Sequence, residues 1–149
     1  NDILPLLPGH FNLLISGTNP AKQVLALASE RVTVTGWVDD IREFYTKGRI
    51  FIVPMWSGTG QQNKILEALA LGVPSITTPE VNNAIRAMPG RESLIAENKE
   101  IFVHYINLLT NDETLYHKLS TNGKLFVKEN YSWKQKGEIL NSIFAPKLK

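Results

Sequence analysis

The chain has 149 residues, of which 43% are apolar and 20% charged, and it carries a formal net charge of +2. This is the size and composition of one folded domain with a single core, and it excludes a disordered or fibrous chain. It contains no cysteine, which rules out disulfides and thiolate metal sites and suits a cytoplasmic protein.

No apolar run approaches the roughly 20 residues that span a bilayer. The longest one of interest, Ile50 to Trp56, has the length of a buried strand. Asn1 and Asp2 stand where the basic start of a signal peptide would lie, so none is expected. The small net charge gives no reason to expect a nucleic-acid partner. Positive charge is concentrated at one end: from His117 onward seven lysines oppose Glu129 and Glu138. A solvated helical surface is the expected reading, with peripheral contact to an anionic membrane or a partner as the alternative.

In chain order, "FNLLISG" (11–17) reads as a strand and "PAKQVLALAS" (20–29) as a helix opened by proline. "RVTVTGW" (31–37) alternates in strand fashion and is rich in β-branched residues. "DDIREFYTKG" (39–48) carries a capping box, Asp40 with Glu43 three residues on, and closes at Gly48. "RIFIVPM" (49–55) is continuously apolar, as expected for a strand covered on both faces. The helix of "SGTGQQNKILEALALG" (57–72) ends at Gly72, and "VPSITT" (73–78) makes the next strand.

This strand–helix alternation with short connections predicts one parallel sheet with right-handed crossovers, a doubly wound, Rossmann-like α/β fold with helices on both faces. From Asn98 the pattern becomes helical only, a C-terminal extension. "KEIFVHYINLL" (99–109) aligns Ile101, Phe102, Tyr105, Ile106, Leu108 and Leu109 on one face. "DETLYHKLSTNGKLFVKENYSW" (112–133) and "KQKGEILNSIF" (134–144) read as further helices, the latter burying Ile139, Leu140, Ile143 and Phe144. No linker divides the chain, so residues 1–149 form one domain.

The stretch that carries chemistry is Ser57 to Gly72. In an open parallel sheet, ligands bind beyond the carboxyl ends of the strands, and Gly58, Thr59, Gly60 and Gln61 follow such an end. Glycine lets a ligand approach the backbone, and the start of the next helix offers unpaired N–H groups and a positive dipole end suited to phosphate. About two turns into that helix lies Glu67, with Asn63 and Lys64 on the same face beside Ala70. A lone carboxylate on a mostly apolar helix has two readings. One is an ion pair with Lys64 at i−3, contributing a few tenths of a kcal/mol. The other is an acceptor for a diol such as a nucleotide ribose.

"VTVTGWVDDIREFYTKGRIFIVPMWSGTGQQNKILEALALGVPSITT" (32–78) resembles the carboxyl-terminal domain of retaining glycosyltransferases of the two-domain GT-B fold, the "glycosyl transferases group 1" class. Thr35, Gly36, Trp37, Pro54, Gly58, Gly60, Lys64, Leu66, Glu67, Ala68, Ala70, Gly72 and Pro74 match its pattern. The resemblance implies half of a GT-B fold that binds a nucleotide-sugar donor. Glu67 matches the second glutamate of the family's E-x7-E motif, which binds the ribose hydroxyls. Gly58, Thr59, Gly60 and Gln61 would lie against the diphosphate and sugar, and Val38 near the base. Thr59 stands where the motif's first glutamate belongs, so a neutral hydroxyl replaces a charge there.

The family's diphosphate-binding Arg and Lys have no match, and the chain is expected to be truncated at its N-terminal edge, without the acceptor-binding domain. Alone it is expected to be inactive, with no catalytic residue of its own assigned. The mechanism leaves the start of the helix after Gly60, helped by Lys64, to stabilise charge on the leaving diphosphate. No cofactor or metal is expected: His10, His104 and His117 are isolated, His104 reads as solvated, and Asp39 and Asp40 read as a helix start. Polysaccharide biosynthesis at a cytoplasmic or membrane-peripheral location is a common association in the family. The alternatives are a non-catalytic nucleotide- or phospho-ligand-binding α/β module and an epimerase relative of the same fold. No G-x-G-x-x-G follows the first strand, which weakens a dinucleotide-binding version.

Overall fold

The structure is a computed structural model and describes residues 2–57, 62–132, 137–138 and 141–142. A 3-10 turn at Leu4–Leu6 leads to β1 (Leu13–Ser16), α1 (Lys22–Leu25), β2 (Val32–Thr35), α2 (Ile41–Lys47) and β3 (Phe51–Val53). Then come α3 (Asn63–Leu71), β4 (Ser75–Thr77), α4 (Pro79–Ile85), β5 (Leu94–Ile95), α5 (Lys99–Asn111) and α6 (Glu113–Asn130).

Every ladder is parallel, as the alternation predicts. Leu13 pairs with Val32, Phe51 with Ser75, and Ile76 with Leu94. The expected single sheet is, however, two: β1–β2 and β3–β4–β5. Within each ladder neighbouring strands are consecutive in the chain, and the change of ladder falls at the α2 crossover, because β3 takes its partner from β4 and not from the first pair.

Both faces of the second sheet are covered. Ile52 and Ile76 pack with Phe102, Ile106 and Leu109 of α5, together with Leu7 and Leu119. Phe51 and Val53 point the other way, into Ile65, Leu66 and Leu69 of α3, Val81 and Ile85 of α4, and Phe126. The two-residue period of a strand therefore divides β3 between two helical layers. α6 reaches both, through Leu119 and Phe126, and Gly123 lets it approach α3 so closely that an added Cβ would lie 2.9 Å from Leu69. The Arg31 guanidinium, just ahead of β2, donates to the carbonyls of Leu4, Leu7, Pro8 and Phe11. It thereby ties the first sheet to the 3-10 turn that covers the α5 face.

The element ends follow local chemistry. Asp40 caps α2 by accepting from the Arg42 N–H at 2.9 Å, but Gly48 ends that helix at φ −87°, not in the left-handed conformation. Asn98 and Asp112 cap α5 and α6, each accepting from the N–H three residues on, where Asp40 accepts from the one two residues on. α1 is only one turn, shorter than expected: it has no side-chain cap and none of its residues is buried, so neither capping nor packing offsets the cost of nucleation. α4 and β5 continue the alternation between the last strand read from the pattern, 73–78, and Asn98, where it turns helical. The Thr78 hydroxyl accepts from the Val81 N–H, and Pro79 sits in the first turn. β5 has two residues, too few to show a period. The predicted helix at 134–144 falls mostly outside the described residues, as do Ile139, Leu140, Ile143 and Phe144; 137–138 and 141–142 are helical.

α3 ends as predicted. Gly72 adopts φ 77° and donates to Ala68 and Leu69, and the Val73 N–H also reaches Ala68. A Cβ here would meet the end of the Lys124 side chain, which can move, but the left-handed backbone strain would remain. Gly72→Ala is therefore expected to cost about 1–2 kcal/mol, read as a lower midpoint in urea with an unchanged slope. No loss of stability would show that this cap is not formed in solution.

Candidate functional site

α3 begins at Asn63, and among the described residues no side chain caps its first turn, that of the N-cap residue Gln62 included. The Ile65 N–H donates to the Gln62 carbonyl at 3.1 Å; a helix start at the strand-carboxyl end of a parallel sheet is a position suited to an anion. Gly58, Thr59, Gly60 and Gln61, predicted to lie against a diphosphate and sugar, are outside the described residues. Lys64 is exposed in the first turn. Val38 is half-buried beyond the end of β2, and Trp37 beside it is 70% exposed.

Glu67 is the fifth residue of α3, a little over one turn from its start and not two, because the helix begins later than the pattern suggested. It lies roughly 6 Å along the axis from the first helical residue. Asn63, Lys64, Glu67 and Ala70 are all exposed, while Ile65, Leu66, Ala68 and Leu69 are buried, so the polar face is where the spacing put it. Among the described residues no ion pair joins Lys64 to Glu67. The carboxylate's partner comes from another helix. The Tyr45 hydroxyl of α2 donates to Glu67 Oε2 at 2.8 Å.

Tyr45 is 6% exposed and its ring meets Phe51 edge-on, 5.2 Å between centroids. Burial first, then the hydrogen bond to Glu67 and its charge, hold the phenol well above its ordinary value. The hydroxyl therefore stays protonated and donates. Beside it a cavity of about 170 Å³ opens between α2 and α3, lined by Ile41, Arg42, Tyr45, Glu67, Ala70 and Leu71. Arg42 is engaged elsewhere, its guanidinium binding both Asp40 oxygens at 2.7–3.1 Å, which lowers the Asp40 carboxyl below its ordinary value. Asp40 is thus a cap and an ion-pair partner, as a helix-start reading requires. A larger cavity, about 240 Å³, lies at the carboxyl ends of α4 and α6 beside Arg86 and Tyr131; none of the predicted site residues lines it.

Tyr45 and the α2 wall of this groove were not predicted as site residues. A tyrosine in "REFYTK" has the spacing of an ordinary core aromatic, and its contact with Glu67 spans 22 positions. No local pattern reports such a pair. Among the described residues no group of His, Asp and Glu side chains is arranged to hold a metal ion. His104 is exposed, as expected. No helix among them is long and apolar enough to cross a membrane.

Parallel strands with helices on both faces define a Rossmann-like α/β domain, and the groove between α2 and α3 has the Glu67 carboxylate in its wall. Residues 2–112 match the family model described as "Glycosyl transferases group 1". The chain belongs to that family. No curated protein matches it at a significant level. Its fold is similar to Anabaena Alr3699/HepE in complex with UDP, at 16% identity and a TM-score of 0.80 over 95% of this chain and 43% of that one. It also resembles sucrose-phosphate synthase (tll1590) from Thermosynechococcus elongatus, at 21% identity and a TM-score of 0.75 over 90% of this chain and 39% of that one. The C-terminal domain of a group 1 glycosyl transferase family protein (LpcC) from Francisella tularensis is matched at 14% identity and a TM-score of 0.68, over 87% of this chain and 90% of that domain. The chain thus spans less than half the length of the first two, and its fold is that of one half of the GT-B arrangement.

Proposed function

We propose that this chain binds the nucleotide-sugar donor of a retaining glycosyl transfer, with the acceptor held by residues outside it. The observation that carries the reading is the position of Glu67: an exposed carboxylate in the wall of a groove, roughly one helical turn below the start of α3. The helix start suits the diphosphate. A carboxylate one turn further down suits the ribose diol, since each hydroxyl can donate to an ionised oxygen and such bonds are stronger than neutral ones. Ile41 and Arg42 line the same groove, and Val38, three residues ahead of Ile41 in the chain, is assigned to the base on the family's pattern alone. The neighbour described as bound to UDP, and the same protein bound to UDP-glucose, support this class of ligand.

Transfer breaks the bond between the anomeric carbon and the diphosphate, leaving negative charge on the departing phosphate oxygen. The helix dipole and the Lys64 ammonium are the groups of this chain that would stabilise that charge. Gly58, Thr59, Gly60 and Gln61 are assigned to the diphosphate and sugar on the family's pattern alone. No metal and no cofactor is assigned. With the acceptor side elsewhere, these residues alone are expected to bind donor weakly and transfer nothing. Cytoplasmic or membrane-peripheral polysaccharide assembly is the setting we favour for the whole enzyme.

The test is a titration of the 15N-labelled chain with UDP-glucose and with GDP-mannose. At least one is expected to move the amides of Asn63 to Glu67 and of Val38 together, with millimolar affinity. Shifts confined to the Arg86–Tyr131 cavity, or none with either ligand, would overturn the proposal.

A further inference from the structure

The Tyr45–Glu67 contact has a character that an ion pair lacks. Glu67 is an exposed glutamate with three rotatable bonds, and in that state its carboxylate would sample several rotamers. Tyr45 does not move in the same way. Its ring is buried against Phe51, Ala68 and Val73, which fixes where its hydroxyl can be. That hydroxyl sits 2.8 Å from Oε2. A carboxylate has about four acceptor positions on two oxygens, so one phenol occupies one of them and leaves all of Oε1 for a ligand. The donor is also neutral. It orients the carboxylate without cancelling its charge, as a lysine or arginine in the same place would. Arg42, which also lines the cavity, is held by Asp40, and Lys64 makes no ion pair with Glu67 among the described residues.

We infer that Tyr45 is a positioning residue for donor binding: through its hydroxyl it pins Glu67 Oε2 so that Oε1 is presented, already oriented, to the diol of a nucleotide ribose. This rests on the ribose role proposed above for Glu67. The physical gain is pre-organisation. Ordering a rotamer-rich side chain at the moment of binding weakens association, and a side chain ordered beforehand avoids that loss. The expected size is roughly three- to tenfold in Kd. The phenol is held protonated by burial and by the carboxylate it serves, so the hydroxyl remains a donor at neutral pH.

The experiment compares the wild-type chain with Tyr45→Phe, Glu67→Gln and the double variant. Each is titrated with UDP or GDP, whichever the wild type binds more tightly, and with the 2′,3′-dideoxy form of that nucleotide. Tyr45→Phe keeps the ring and its packing, and thermal unfolding without ligand monitors the fold. The expected result is a three- to tenfold weaker Kd for the ribonucleotide, an unchanged Kd for the dideoxy form, and no further loss when Tyr45→Phe is added to Glu67→Gln. A purely structural role for the hydroxyl would weaken both ligands alike and would persist in the Glu67→Gln background; that outcome overturns the inference. If Glu67→Gln abolishes the preference for ribose while Tyr45→Phe leaves it whole, the reading of Glu67 stands and the inference alone falls. If Glu67→Gln leaves the preference intact, both fall.

Discussion

Glu67→Ala is expected to weaken binding of a nucleoside diphosphate sugar by about ten- to a hundredfold while leaving the fold in place. The magnitude follows from losing hydrogen bonds to a charged acceptor, each contributing about 1.5–3 kcal/mol, at about 1.4 kcal/mol per decade of affinity. The fold is spared for three reasons. Glu67 is exposed on a helix whose other face carries the packing. Alanine is the better helix former. The Tyr45 hydroxyl, deprived of its partner, faces a cavity of about 170 Å³, ample for a replacing water. Isothermal titration and thermal unfolding of the same sample separate the two effects. An unchanged affinity would remove Glu67 from the site; a collapse in melting temperature with the affinity loss would make it a structural residue.

Phe102→Ala is expected to act the opposite way, removing about 3–5 kcal/mol of stability with no direct effect on the ligand groove. Phe102 is fully buried on α5, packed with Ile76, Leu94, Leu109 and Leu119, and the Trp56 ring meets it edge-on at 6.1 Å between centroids. Truncation leaves a cavity that these neighbours can only partly fill, since they are held on four different strands and helices. The loss is a large share of the roughly 5–15 kcal/mol typical of a whole domain. It is also confined to the face of β3–β5 opposite α3. Any remaining folded protein should therefore bind donor as the wild type does. Urea unfolding followed by far-UV circular dichroism gives the number. A cost below about 1 kcal/mol would mean that the α5 layer is not tightly packed against the sheet in solution.

The two substitutions divide the molecule along the line that also separates what could be read from the chain. Apolar periodicity was enough for β1 to β4, for α2 and α3, and for the buried stripe of α5, because each depends on residues within a few positions of one another. Asp40 and Gly72 marked helix ends for the same reason: a cap acts on the N–H or C=O groups of its own turn. The exposed face of Asn63, Lys64, Glu67 and Ala70 also followed from helical spacing alone. α1 and β5 were harder, since one lacks a cap and a buried side and the other has two residues.

By itself, then, the order of residues determined the strand–helix alternation, the parallel pairing it forces, and the presence of a carboxylate on the open face of the helix after a glycine-rich loop. Only the tertiary structure decided how the strands divide into two ladders and which group that carboxylate meets. Lys64, three residues away, was the partner suggested by proximity along the chain, whereas Tyr45, 22 residues away on α2, is the one in contact. The reason is geometric: a helix sets the direction of a side chain from its own spacing, but what stands in that direction depends on how a second helix packs across the sheet, and no short window of sequence contains both.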